Sequence, residues 1–239
     1  MNRSLWIALA LLLAPLAASA QASRWQTHRS DTQLRDGMIL RGHVGQAHLR
    51  IDTRPARAGQ TSRLDSALAS AKTLDGAPNQ KLAKLVQLST DVFPRGDAQM
   101  QGQYLDRVAK PAKHGRAVSL ERLSEEGLAS CRERAVALKM LLAQAGYPRA
   151  RLRTGSYYRV TSTGPAYVSG HAWVELPMAG GQVTVLDPSQ PPEQAIAQSK
   201  PMRGWIVQGG ERKLRPYVAV GDHFLMFDEK LERKTKEGL

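Results

Sequence analysis

The run Ser130-Cys131-Arg132-Glu133 constrains this chain more than any other. Ser130 followed three residues later by Glu133 has the spacing of a capping box, in which two side chains satisfy the first free N–H groups of a helix. A helix therefore starts there. Leu138, Leu141, Leu142 and Ala145 recur on one face of it, Gly146 is placed to end it, and Pro148 cannot continue it. Cys131 becomes the first helical residue, where unpaired N–H groups and the helix dipole favour an anion. Arg132 and Arg134 add positive potential, and such surroundings suit a nucleophilic thiolate.

Cys131 is the only cysteine among 239 residues. No intrachain disulfide is possible, and a lone cysteine is more often a small core residue than a reactive one. The compartment matters here. Residues 1–20 carry Arg3, an apolar run over residues 5–13, and small residues at Ala18 and Ala20, the pattern of a secretory signal peptide. That run is shorter than the ~20 residues a membrane span requires. The chain is expected to be exported, periplasmic or secreted, cleaved near Ala20 and soluble, with no membrane span. In an oxidising compartment a single thiol is a liability unless it is buried or used.

The formal net charge of +13 is spread in singles and short groups. It reads first as a solvated basic surface and second as an affinity for anionic envelope polymers. Residues 21–75 are expected as an N-terminal appendage: a short hairpin from runs 38–41 and 47–52, a Pro- and Gly-containing linker over 53–62, and a helix over 63–74. Residues 76–239 form the main domain. Asn79 is expected to cap a helix over 80–93 with Leu82, Leu85, Val86 and Val92 inward and Pro94 as its stop. Residues 95–117 read as a long polar loop, and Ser119 opens a short helix that Gly127 ends. Extended runs follow at 149–160, 168–176 and 182–186, then a short helix at 193–198 and strand-like runs at 205–208 and 217–227.

Residues 170–176 and 182–186 are expected to pair as a hairpin. A loop centred on Ala179 sets Glu175 opposite Val183, Trp173 opposite Val185, and His171 opposite Asp187. Directly opposed residues have Cβ atoms ~5 Å apart, so the carboxylate can hold one imidazole nitrogen and leave the other facing a thiol. Taken alone, His171 would be a structural histidine and Asp187 before Pro188 a turn former. Their joint occurrence with a helix-start cysteine favours a Cys131, His171, Asp187 triad. His28, His43, His48, His114 and His223 have no comparable context, and no zinc-type spacing or Gly-rich phosphate loop occurs. No metal and no cofactor are expected.

Three blocks resemble the transglutaminase-like superfamily. Ala129-Ser130-Cys131-Arg132-Glu133-Arg134-Ala135 is similar to its nucleophile block, His171-Ala172-Trp173-Val174-Glu175 to its His block, and Val185-Leu186-Asp187-Pro188-Ser189 to its Asp block. The helix end Ala145-Gly146-Tyr147-Pro148 fits as well, while Ala129 stands where a glycine is common. The resemblance covers residues 80–190. It implies an α+β fold with a papain/transglutaminase-like core, the nucleophile helix packed on an antiparallel sheet. It implies acyl transfer from an amide, with a protein or peptide as substrate. A peptidase or amidase is preferred, because secreted members of the superfamily are often assigned such roles; a protein-crosslinking transglutaminase and a non-catalytic envelope-binding module on the same fold are the alternatives. The family also uses an upstream side chain beside the oxyanion, for which Gln103 and Tyr104 are the candidates.

Overall fold

The computed structural model describes residues 33–40, 47–53, 62–162, 164–208 and 211–227. The expected signal peptide, His28, His43 with the hairpin loop around it, most of the linker and the charged tail lie outside the described residues. The fold is α+β. Its helices are α1 (Arg63–Lys72), α2 (Pro78–Val92), α3 (Ala98–Lys113), α4 (Leu120–Glu126) and α5 (Cys131–Gln144). The strands β1 (Ile39–Leu40), β2 (His48–Arg50) and β3 (Ala117–Ser119) make a small sheet in which β2 pairs antiparallel with β1 and parallel with β3.

The larger sheet is antiparallel throughout. It contains β4 (Arg151–Thr161), β5 (Gly164–Pro177), β6 (Val183–Leu186), β7 (Ile196–Ser199), β8 (Met202–Gln208), β9 (Glu211–Val220) and β10 (His223–Phe227), in the order β7-β6-β5-β4-β10-β9-β8. β7 and β9 touch although four strands separate them in that order, so the sheet curls strongly on itself. Inside the curl, Tyr157, Trp173, Val183, Val185, Val218, Val220 and Leu225 form one apolar cluster. Alternate residues Leu152, Ala172, Val174, Leu176 and Leu186 point the other way, into the helices.

α5 is the centre of that second core. Every residue from Arg132 to Leu142 is buried, so the helix is enclosed on all sides and not only along its leucine stripe. Ala135 and Ala137 supply the small surfaces such a position requires, and α1, α2 and β5 all pack on it. Leu40, Leu49, Ile51, Leu64 and Ala71 belong to the same core as Leu85, Leu138 and Leu141. Core packing therefore runs across the boundary expected at residue 75. Glu121, buried between them, accepts from the N–H groups of Arg63 and Leu64 and fixes the start of α1 together with its cap Ser62.

Several local expectations change. α2 starts at Pro78 rather than after Asn79, because proline suits the first helical position where no N–H partner is available. The polar loop over 95–117 is largely α3, capped by Asp97 and containing Pro111; it buries no residue fully, and only Tyr104, Val108 and Ala112, spaced by four, pack partly against the core. The helix expected at 193–198 is instead a turn over 193–195 followed by the edge strand β7, paired with β6. The run 217–227 is two strands turned by Gly221 and Asp222, with Gly221 at φ 58°.

Candidate active site

α5 begins as the sequence predicts. The Ser130 hydroxyl accepts from the Arg132 N–H at 3.2 Å, and the Glu133 carboxylate accepts from the Ser130 N–H at 2.9 Å and the Ser130 hydroxyl at 2.5 Å. Cys131, half-buried, is the first residue of the helix. Arg132 does not act as a free positive charge beside it. Its guanidinium is buried against Glu133, with Nε to Oε1 at 2.7 Å, and donates to the carbonyl of Ala47 at 2.9 Å. Burial would raise the Glu133 pKa, but the Arg132 charge and the Ser130 donors outweigh it and hold it below the usual range. Arg134, one turn in, donates to the carbonyls of Phe93 at 3.1 Å and Pro94 at 2.6 Å and lies within the electrostatic influence of both Cys131 and Asp187.

His171 and Asp187 meet, but not as directly opposed residues. The ladder pairs Val174 with Leu186, Glu175 with Val185 and Pro177 with Val183, two positions away from the expected register. The loop is centred on Gly180, and Gly180 and Gly181 both take positive φ, 69° and 73°, a conformation glycine adopts without steric cost. A shift of two keeps each side chain on its face, whereas a shift of one would have separated them. His171 and Asp187 thus become diagonal neighbours, bridged by His171 Nε2 to Asp187 Oδ2 at 2.6 Å.

Asp187 is held where β6 ends. Its N–H donates to the Ala195 carbonyl at 2.8 Å, its Oδ1 accepts from the Ser189 N–H at 3.0 Å, and its own carbonyl accepts from the Gln190 N–H at 3.1 Å. The His171 ring lies 6.4 Å from and nearly parallel to that of Trp173, and 5.6 Å from that of Tyr157. Cys131 opens the helix that packs on β5, the strand carrying His171, and is among the groups that act on the imidazole. With Nε2 taken by Asp187, Nδ1 is the nitrogen left for sulfur. Burial alone would lower the His171 pKa; the Asp187 charge and hydrogen bond, joined by contact with Cys131, raise it well above 6.5.

Of the two upstream candidates, α3 brings one to the helix start. The Tyr104 phenol donates to Ser130 Oγ at 3.3 Å, and burial, then the Glu133 charge, pushes its pKa above the usual range. Gln103, the next residue round the helix, is exposed. Tyr157 and Ser189 were not singled out from the sequence. Asp187 followed two residues later by Ser189 is the spacing of an Asx turn and could have revealed the second. His223 is buried, its ring 4.9 Å from that of Tyr157 and its Nε2 without a hydrogen-bond partner. Among the described residues no group of three or more His, Cys, Asp or Glu is gathered as a metal site, and no helix is long and apolar enough to cross a membrane.

No protein-family model matches the chain. No curated protein matches it. Among solved structures, Legionella pneumophila LapG is similar over 73% of this chain and 94% of that one, at 13% identity and a TM-score of 0.25. A likeness of that extent assigns neither family nor activity, and the functional reading rests on the site.

Proposed function

We propose that this protein is an exported thiol-dependent acyl-transfer enzyme acting on amide bonds, with water as the preferred acceptor, and so a peptidase or amidase. Cys131 attacks the carbonyl carbon as thiolate, the C–N bond breaks as His171 protonates the leaving amine, and a thioester remains on sulfur. Water, deprotonated by His171, then releases the acid and restores the thiol. Asp187 orients the imidazole and stabilises its charged form. The backbone N–H of Cys131 at the helix start donates to the oxyanion, and the Tyr104 phenol is the neighbouring side-chain candidate once its O–H turns from Ser130 Oγ.

What supports this reading is an imidazole held by Asp187 at 2.6 Å on a strand that packs against the helix whose first residue is the cysteine. His171 is charged well above pH 6.5 in that setting, which favours a thiolate beside it. Iodoacetamide should therefore alkylate Cys131 faster than free cysteine at about pH 6, where free thiols are almost wholly protonated. His171→Ala should abolish the advantage. Equal rates for Cys131 and free cysteine would end the enzymatic reading. Incubation with a glutamine-containing peptide and a fluorescent amine separates the acceptors, and stable amine incorporation would replace hydrolysis by crosslinking.

A further inference from the structure

A cavity of about 490 Å³ opens between α2 and the turn that follows Asp187, lined by Lys84, Val86, Gln87 and Thr90 of α2, by Arg95, and by Ile196. We propose that this groove binds the substrate of the Cys131 site, and that it selects an extended peptide segment carrying acidic side chains. The inference rests on the enzymatic reading for its purpose, but its chemistry is readable independently.

Three contacts tie the groove to the site. Arg95 donates to the carbonyl of Gln190, whose N–H donates to the carbonyl of Asp187, so the groove wall and the His171 partner belong to one turn. On the opposite side, the buried Arg134 of α5 donates to the carbonyl of Pro94 and fixes the segment that presents Arg95. Arg134 in turn lies one turn beyond Cys131 on the same helix. A chain lying in the groove is thus held by elements that are themselves pinned to the nucleophile helix and to the Asp187 turn.

The lining defines the ligand. Two of its side chains, Lys84 and Arg95, are cationic and none is acidic, while Val86 and Ile196 supply apolar floor. Lys84 is exposed, so its ammonium is available to a ligand carboxylate. Alternating acidic and small or apolar side chains, as in an extended peptide, would meet cations and apolar floor in turn.

The test measures binding without turnover, on the full chain with Cys131→Ala. A fluorescein-labelled octapeptide of alternating alanine and glutamate is titrated by anisotropy, beside an otherwise identical alanine and glutamine peptide. The acidic probe should bind more tightly. Lys84→Glu should weaken it by about tenfold and leave the glutamine probe unchanged. Lys113→Glu, on α3 and outside the groove, makes the same change in net charge and should leave both probes unchanged. Equal binding of the two probes overturns the proposal, as does an equal effect of Lys113→Glu, since either would mean that the acidic probe responds to nothing beyond the +13 surface. Alkylation of Cys131 in the unmutated chain is read separately: an unreactive thiol with intact groove binding removes the enzyme and keeps the groove, and the converse removes only the groove.

Discussion

At the scale of single residues, the consequence that can be worked out with a sign is the coupling of His171 to Asp187. The folded imidazole titrates well above 6.5, so the pair contributes stability that is fully present below the unfolded value and is lost as pH rises through the folded one. Asp187→Asn removes the charge. Its cost should be about 3 kcal/mol below about pH 6, the size expected for breaking a buried pair, and should shrink as pH climbs into the alkaline range. Urea unfolding of both proteins across that range measures the gap; a gap independent of pH would mean that His171 is neutral in the fold throughout. Cys131 could be placed from the sequence because its evidence is local, a cap and three following residues. The His171 and Asp187 pair was legible as to face but not as to register. The glycines that move the loop centre to Gly180 act through φ, which no alternation of apolar residues reports.

At the scale of elements, the start of α5 holds a charge network that the sequence suggested only in part. Ser130 and Glu133 form the expected box, but Glu133 also neutralises a buried guanidinium whose other donor reaches Ala47. Glu133→Gln leaves Arg132 buried with its charge unmatched, and the expected loss is about 3–5 kcal/mol in chemical denaturation. Arg132→Met with Glu133→Leu, which removes both charges, should recover much of that loss, short of the ~1 kcal/mol of the missing cap. If the double variant is no more stable than Glu133→Gln, the cost lies in the cap and not in the stranded charge. The elements that escaped sequence reading have a common cause. α3 packs only a thin, partly buried stripe of Tyr104, Val108 and Ala112 among polar residues, a weak periodic signal, and β7 is a strand because β6 offers it a ladder, a tertiary effect that overrides local propensity. Helices with a buried face, α2 and α5, were legible for the complementary reason.

At the scale of the molecule, the question is whether residues before 76 are an addition or part of the domain. The family resemblance begins near residue 80, and a polar linker precedes it, so the sequence favours an addition. The packing opposes this. Leu64 and Ala71 of α1 lie wholly buried in the core built around α5, β2 gives β3 its only partner strand among the described residues, and the Ala47 carbonyl accepts a hydrogen bond from the buried Arg132. Taking away that half of the core exposes α5, a helix buried on all sides, along the face that α1 covers. A fragment of residues 76–239 should therefore show no cooperative thermal transition by circular dichroism, while the chain beginning at residue 21 melts as a unit. Its Cys131 should react with iodoacetamide no faster than free cysteine, because the Arg132 and Glu133 network that steadies the helix start has lost its outer anchor. A fragment that melts sharply at the temperature of the longer chain would return residues 21–75 to the status of an appendage and would leave the site supported by α2, α5 and the curled sheet alone.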